Sequence, residues 1–181
     1  DMAGYFSTGH PLVGTLDRNA GFTVTFRVKL DQETHTTANR AGFSVILLGS
    51  DSKGIELGFW QNEVWAQSDS PLFTHAEGAS FDTTLGLVDY ALTILGNSYQ
   101  LKANGANLLS GTVRDYTAFG LPYTSTNFIF FGDNTSSAAA QVEIARVTLA
   151  AVPEPSAFCL TLAGGVVFVL ARRRSRPVSA G

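Results

Sequence analysis

The chain has little charge, one cysteine and one methionine, and each scarcity excludes a class of protein. Charged residues make up 15% of the 181 residues, against about a quarter in a typical globular domain, which excludes a coiled coil or a charged helical bundle. A lone cysteine cannot pair within the chain, so a disulfide-stapled miniprotein is excluded too. Aromatic residues make up 11%, which is too many for a disordered chain. The many phenylalanines and glycines favour an all-β domain instead.

Charge is also distributed unevenly along the chain. Residues 1–150 contain fourteen acidic and eight basic side chains, a net charge of −6, whereas residues 151–181 have a net charge of +3. The acidic part argues against nucleic acid as a partner, because a nucleic-acid binder needs a basic patch to neutralise phosphates. We therefore predict a domain over 1–150 and a separate tail over 151–181.

The tail contains an apolar run that is followed directly by arginines. Residues 157–171 are uncharged, and as a helix they would extend about 22 Å, less than the roughly 30 Å hydrocarbon core of a bilayer. Arg172, Arg173 and Arg174 favour a transmembrane helix, since basic residues stay on the cytoplasmic side. A buried C-terminal helix with a charged end is the alternative, although a core helix rarely lacks a polar stripe.

A short motif, Pro153-Glu154-Pro155, precedes this run, and its two prolines end regular structure and extend the backbone. The order Pro-Glu-Pro, apolar helix and arginine cluster over 152–180 resembles the PEP-CTERM sorting signal of bacteria. That resemblance implies export, exosortase recognition while the chain is anchored in the inner membrane, cleavage near the motif, and location at the cell surface or in the extracellular matrix. The first residues lack the pattern of a signal peptide, so we expect a truncated or processed N-terminus.

Residues 1–150 show the pattern of about ten short strands. Residues 22–30 alternate apolar and polar, which is typical of a half-buried strand, whereas 41–48 is apolar throughout and predicts an interior strand. Further strands are predicted at 55–60, 63–67, 87–95, 99–103, 108–113, 128–132 and 142–149, with loops at 31–40, 68–84 and 117–127. Many short strands without helices predict an all-β fold, a two-sheet antiparallel jelly-roll sandwich.

Two segments also resemble a known fold family. The stretches FTVTFRVKL at 22–30 and FFGD…VEIARV at 130–147 resemble the opening and closing strands of concanavalin A-like (laminin G-like) lectin and glucanase domains. The resemblance implies that these terminal strands pair near each other. Together with the tail, the stretch 39–60 is similar to the bacterial choice-of-anchor surface-domain families, which implies a surface location and no known activity.

A hairpin turn at Gln61-Asn62 brings polar and aromatic residues together. The turn pairs residues across two strands, and the predicted partners are Trp60–Glu63, Gly58–Trp65 and Glu56–Gln67. All of them then share the sheet face opposite the core. Indoles stack on sugar C–H surfaces, and carboxylates and amides accept hydrogen bonds from hydroxyls, so this face is a predicted carbohydrate platform. The alternative is that a loop covers the face and both tryptophans lie in a second packing layer.

His75 is a further candidate ligand-binding residue, and the starting point of an enzymatic alternative. With Glu77, and with Glu56 or Glu63 nearby, its imidazole is suited to general acid/base chemistry or to a metal. Glycosidase action is disfavoured, because Glu56 and Glu63 would lie roughly 13 Å apart at strand rise, too far for either known mechanism. The sequence also has no H-E-x-x-H and no G-x-S-x-G motif.

Arg40 precedes a buried strand, and it is expected either to bind an anionic sugar or to pair with Glu33 or Asp31. No cofactor is predicted, although Asp133 and Asn134 at a strand end are candidate calcium ligands. The alternative for that pair is a turn in which the side chains bond to their own backbone.

Three functions are consistent with these patterns. The first is an exported, exosortase-processed surface or matrix protein that is non-catalytic and binds polysaccharide. The second is a polysaccharide lyase or hydrolase that uses His75 and a glutamate. The third is a purely structural matrix component.

Overall fold

The structure, a computed structural model, describes residues 3–7 and 13–151, which form eleven β-strands and one turn of 3₁₀ helix at Thr117–Phe119. The strands are β1 (Ala3–Ser7), β2 (Phe22–His35), β3 (Phe43–Leu48), β4 (Gly54–Phe59), β5 (Glu63–Asp69), β6 (Leu72–Ser80), β7 (Val88–Leu95), β8 (Ser98–Ala103), β9 (Ala106–Thr112), β10 (Phe128–Asp133) and β11 (Ala138–Ala151).

The strands form two antiparallel sheets that pack face to face. The six-stranded sheet has the order β1-β10-β3-β4-β5-β6, and the five-stranded sheet has the order β11-β2-β7-β8-β9. The main core lies between them and includes Phe26, Phe59, Tyr90 and Phe131, whose rings contact one another. The predicted all-β antiparallel two-sheet sandwich is confirmed.

The pairing of β2 with β11 confirms that the first and last predicted strands are neighbours. Their register runs from His35 opposite Ala138 to Phe22 opposite Ala151. The loop predicted at 31–40 is therefore wrong for residues 31–35, which continue β2. Backbone pairing with β11 holds these residues in the strand, although their side chains alone give no alternating apolar pattern. Since β11 ends at Ala151, the strand extends one residue past the predicted domain boundary.

Two other strands were missing from the sequence prediction. β6 lies inside the segment 68–84, which was predicted as loop, and β1 at the edge of the six-stranded sheet was not predicted. The pairing of β6 with β5 is interrupted by irregular register near Gln67, and every residue of β6 is half-buried or exposed. Without a regular alternation between buried and exposed positions, the sequence of β6 has no period-2 signal.

β3 shows that the six-stranded sheet is buried on both faces. Val45 and Leu47 belong to the main core, whereas Ile46 and Leu48 point to the opposite face and join a second cluster with Tyr116, Tyr123 and Phe128. We call this second face the outer face, and we call residues 115–125, which pack on it, the cover loop. The prediction that 41–48 is an interior strand is confirmed, since all six residues of β3 are buried.

Among residues 3–7 and 13–151, no helix is long and apolar enough to cross a bilayer. The predicted transmembrane sorting helix lies outside this part of the chain, as do Pro153, Glu154, Pro155, Arg172, Arg173 and Arg174.

Candidate functional site

The hairpin formed by β4 and β5 places the predicted residues on the outer face. Gly58 is opposite Trp65 as predicted, and the Trp60 N–H donates to the Glu63 carbonyl at 2.8 Å. Because the alternate positions on both strands belong to the main core, the other side chains point outward. They are Glu56, Trp60, Glu63, Trp65 and Gln67.

Three of these side chains are more buried than an open platform for a ligand would allow. Trp65 is 0% exposed, Glu56 is 2% exposed and Gln67 is 3% exposed, so an accessible surface with two indoles is a wrong expectation. The cover loop packs on this face, and β6, beside β5 in the same sheet, places His75 on the Trp65 ring. Trp65 itself packs against Gly58. That covered arrangement is the alternative that the sequence had left open.

Two histidines stack on the two indoles. The ring centres of His75 and Trp65 are 4.3 Å apart, those of His35 and Trp60 are 4.2 Å apart, and both pairs are nearly parallel. Trp60 Nε1 donates to the Arg40 carbonyl at 2.8 Å. These contacts fix the indoles in a packed cluster, so their faces are occupied by protein rings.

His75 is held between fixed partners. Its Nε2 lies 3.1 Å from Glu63 Oε1, and its Nδ1 lies 3.2 Å from the Ala38 carbonyl. Glu77 does not join this pair, because its carboxylate accepts hydrogen bonds from Tyr99 and Arg114. The expected pairing of His75 with Glu77 is therefore wrong, whereas the proximity of His75 to Glu63 is present.

A polar pocket opens beside this cluster on the outer face. It encloses about 270 Å³, and we call it the outer pocket. Its polar wall consists of Arg40, Glu56, Gln67, Tyr123 and Asn134. The aromatic residues Phe73 and Phe119 also line it, so polar groups and ring surfaces face one small space.

Glu56 is the buried carboxyl at the base of the outer pocket. The Tyr123 hydroxyl donates to Glu56 Oε2, and Asn134 Nδ2 donates to Glu56 Oε1 at 3.1 Å and to the Tyr123 oxygen at 3.0 Å. Burial raises the pKa of Glu56 above its usual value, although these hydrogen bonds and the nearby Arg40 oppose the rise. Burial, followed by the neighbouring Glu56, also raises the pKa of Tyr123. The carboxyl therefore retains its proton to a higher pH than an exposed glutamate.

Arg40 lines the pocket instead of forming the ion pair that was one of its two expected roles. Its Nη1 donates to the carbonyls of Asn39 at 2.7 Å and Phe73 at 2.8 Å. Glu33 contacts His35, and Asp31 contacts Lys29, so the expected pairing of Arg40 with either acid is wrong. The guanidinium carbon lies 5.4 Å from the centre of the Phe73 ring.

Gln67 presents an unpaired acceptor at the same place. Its Nε2 donates to the Asn39 carbonyl at 3.2 Å, but its buried Oε1 has no hydrogen-bond partner among the described residues. A buried polar atom without a partner costs about 1–3 kcal/mol. Gln67 also lines the outer pocket, so one of the polar residues of that lining has an acceptor atom without a partner.

Asp133 and Asn134 do not form a cluster of ligands for a metal ion. The Asp133 carboxylate accepts the Thr135 N–H at 2.9 Å, the local turn bond that was the alternative to a calcium site. Asn134 is bound to Glu56 and Tyr123. Across the part of the chain that the structure describes, no three His, Cys, Asp or Glu side chains are grouped as metal ligands.

Sequence reasoning missed the aromatic residues that complete the site. Tyr116, Phe119 and Tyr123 lie in the cover loop, which overlaps the predicted loop 117–127, and Phe73 lies in β6, inside the predicted loop 68–84. Three aromatic residues within eight positions of a loop are a usable signal, because aromatic rings are usually at least partly buried. Such a loop is expected to fold back onto a sheet.

Comparisons with known proteins find the fold only. No family model matches the sequence, and no curated protein sequence matches it. A variant of the family 7 alginate lyase A1-II′, in complex with product, is 11% identical with a TM-score of 0.51, covering 83% of this chain and 72% of the lyase. A variant of human galectin-16 is 13% identical with a TM-score of 0.50, covering 82% of this chain and 95% of the galectin.

The chain spans 66% of the length of two other structures of alginate lyase A1-II′. At such low identity the likeness shows the fold alone, which is a jelly-roll sandwich consistent with a concanavalin A-like architecture. The jelly-roll prediction is thus confirmed at the level of the fold.

Proposed function

We propose that this protein is an exported, non-catalytic polysaccharide-binding protein whose sugar site is the outer pocket. The observation on which the proposal rests is the buried, unpaired Oε1 of Gln67 beside Arg40 and Glu56. A sugar hydroxyl that donates to this oxygen would remove the cost of the unpaired acceptor.

The composition of the outer pocket supports this assignment. Small-ligand sites combine apolar and aromatic walls with a few fixed polar groups. Here Phe73 and Phe119 offer ring surfaces, while Tyr123 and Asn134 hold the Glu56 carboxyl in place. Sugars present both C–H faces and hydroxyl groups, so this mixture suits them.

The structural comparisons give a second, weaker line of support. One similar structure is an alginate lyase solved with its product, and another is a galectin. The jelly-roll fold that they share with this chain thus occurs in a protein that acts on a polysaccharide.

The positions of the titratable groups favour binding over catalysis. A general base must reach the proton that it removes. Both ring nitrogens of His75 already face protein oxygens, and the Tyr123 hydroxyl donates to Glu56. Among the described residues these groups are thus already engaged by protein partners, which favours binding over the lyase or hydrolase alternative.

Export and sorting are proposed from the tail. The Pro153-Glu154-Pro155 motif, the apolar run 157–171 and the arginines after it support recognition by an exosortase and final location at the cell surface or in the matrix. In cells that produce an exosortase, Glu154→Ala is expected to leave the chain unprocessed, with a higher mass than the wild-type product. Equal masses for both proteins would overturn this part of the proposal.

The binding part is tested with the full chain on a broad glycan array, followed by calorimetry with the glycans that bind. Gln67→Leu is expected to lower affinity at least tenfold. Gln100→Leu is the matched control, because Gln100 lies on β8 in the other sheet and pairs with Thr93, and its affinity is expected to equal that of the wild type. Circular dichroism checks that both variants fold.

A second variant guards against a folding defect. Gln67→Met preserves the length of the side chain without its acceptor oxygen, and it is expected to lose as much affinity as Gln67→Leu. The absence of any glycan bound by the wild-type chain would overturn the proposal, as would unchanged affinity in a folded Gln67→Leu protein.

A further inference from the structure

We propose that the outer pocket takes one acidic sugar residue, a hexuronate at a chain end or side branch, whose carboxylate binds Arg40 and whose hydroxyl donates to Gln67 Oε1. This inference rests on the proposed function and specifies its ligand.

The size of the outer pocket matches one sugar residue. At about 270 Å³ it lies just below the range of about 300–1,000 Å³ that is usual for sites of drug-sized molecules. Its lining comes from the cover loop, through Phe119 and Pro122, and from the segment after β10, through Asn134. A polysaccharide that lies along a sheet needs an extended groove, whereas this pocket suits a single terminal or branching unit.

Arg40 provides the site for the carboxylate. Its Nη1 is committed to two backbone carbonyls, while its Nη2 and Nε make no hydrogen bond within residues 3–7 and 13–151. A guanidinium with a free edge matches the two oxygens of a carboxylate, and such charge-assisted pairs are the stronger hydrogen bonds in proteins. The backbone bonds also fix the side chain in advance of binding.

The charge of the pocket favours an anion. Arg40 is the basic side chain among the residues that line the pocket, and Glu56 is the acidic one. Both Glu56 oxygens accept hydrogen bonds from Tyr123 and Asn134, and burial raises the pKa of this carboxyl, so it retains its proton to a higher pH than an exposed glutamate does. An acidic sugar would thus be attracted by the Arg40 guanidinium, and this attraction should weaken with salt.

The other walls suit the rest of a sugar ring. Gln67 Oε1 needs a donor, which a hydroxyl supplies and a second carboxylate does not. Phe119 is 57% exposed and stands at the mouth of the pocket, where its ring can contact sugar C–H groups. A single ligand with one carboxylate, hydroxyls and a C–H face matches all three features.

Calorimetry with two matched oligosaccharides tests the inference. Both have the same neutral chain, and one ends in glucuronate while the other ends in glucose. The full chain is expected to bind the glucuronate-terminated oligosaccharide at least tenfold more tightly at low salt, and to lose most of this preference at high salt. A polymer with uronates only at internal positions is expected to bind no better than the neutral oligosaccharide.

Two variants at Arg40 separate charge from folding. Arg40→Gln is expected to abolish the preference for the acidic end, so that the variant binds the two oligosaccharides with equal affinity. Arg40→Lys retains the charge without the planar pair of donors, and it is expected to retain part of the preference. Arg27→Gln, on β2 in the other sheet, is the matched control and is expected to retain the full preference.

The outcomes distinguish this inference from the proposed function. Equal affinity for the two oligosaccharides would overturn the acidic ligand and leave the sugar site standing. Tight binding of internal uronates would overturn the single-residue pocket alone. Loss of preference in Arg27→Gln would overturn the role of Arg40, and binding of no sugar by the wild type would overturn both proposals.

Discussion

The two sheets differ in how the face that points away from the main core is exposed to solvent. On the five-stranded sheet, the face that points away from the core is solvated. Its side chains pair across neighbouring strands, as the Thr23 and Thr93 hydroxyls do at 2.8 Å. The outer face of the six-stranded sheet is covered, and Trp65 and Tyr116 on it are 0% exposed. The five-stranded sheet therefore faces solvent on this side, whereas the six-stranded sheet is covered by a second layer of packed side chains.

The difference shows where polar groups acquire a function. On a solvated face, water satisfies any polar group that the protein leaves unpaired. On a covered face, each polar group must find a partner inside the protein or remain costly. Glu56 and Tyr123 are hydrogen-bonded to each other, whereas Gln67 Oε1 and Trp65 Nε1 have no hydrogen-bond partner among the described residues. Of these two residues, Gln67 lines the outer pocket.

The largest expected effect is the loss of the second packing layer. Tyr116→Ala removes a fully buried ring from the second cluster on the outer face, and we expect the free energy of unfolding to fall by about 3–5 kcal/mol. Urea denaturation measures it. A loss no larger than that of a substitution on the solvated face would break the comparison between the two faces.

Tyr116→Phe is the matched variant for that experiment. It retains the ring but removes the hydroxyl, which accepts the Glu56 N–H and donates to the Gln67 carbonyl. The expected loss is smaller, because only the polar contacts disappear. If Phe and Ala cost the same, packing of the ring is not what stabilises this layer.

The next effect comes from the hydroxyl of Tyr123. Tyr123→Phe leaves the buried Glu56 carboxyl without one donor, and we expect a loss of about 1–3 kcal/mol. Urea denaturation measures this loss as well. In the double variant with Glu56→Leu, the cost of removing the hydroxyl should largely disappear, and a cost that persists would show that the hydroxyl acts through other groups.

The pH dependence of stability sharpens the comparison further. Burial raises the pKa of Glu56 above 4.5 in the folded state, so the folded protein holds this proton more tightly than the unfolded chain. The resulting stability is fully present below the unfolded pKa and is lost as pH rises through the folded pKa, by at most about 1.4 kcal/mol per pH unit.

Urea denaturation of the wild type and of Glu56→Gln, from below the unfolded pKa of Glu56 to above its folded pKa, measures that contribution to the free energy of unfolding. The stability of the wild type relative to the variant is expected to fall as pH rises, because glutamine does not titrate. A constant difference between the two proteins would show that the folded and unfolded states hold the Glu56 proton equally.

The smallest effect is expected on the solvated face. Thr93→Ala removes one cross-strand hydroxyl contact, and we expect a loss of about 0.2–1 kcal/mol by urea denaturation. The vacated position is filled by water. A loss as large as that of Tyr116→Ala would mean that the two faces do not differ as described.

The sequence predicted those parts of the fold in which one strand face is buried and the other solvated. Residues 22–30 alternate because β2 has one side on the core, and the turn at Gln61-Asn62 set the register of β4 with β5. β6 escaped prediction because its side chains are half-buried along the whole strand. The end of β2 escaped because its pairing with β11 depends on residues about a hundred positions away.

The sequence named part of the lining of the outer pocket, whereas the lining does not include four other residues that it named, Trp60, Glu63, Trp65 and His75. Glu56, Gln67 and Arg40 were named from the hairpin register and the polar loop, and they do line one pocket. The burial of these residues depends on Tyr123, which is 67 positions from Glu56. Local periodicity contains no information on such a long-range contact, so the sequence could not distinguish an open platform from a covered layer.

The direction of β11 has a consequence for how the domain is presented to its surroundings. β11 begins at Ala138, two residues after Ser136 in the lining of the outer pocket, and ends at Ala151. Fourteen strand residues extend roughly 45 Å, so the end of β11 is far from Ser136. A C-terminal attachment of the kind proposed would thus hold the domain at a point remote from this part of the outer pocket's lining.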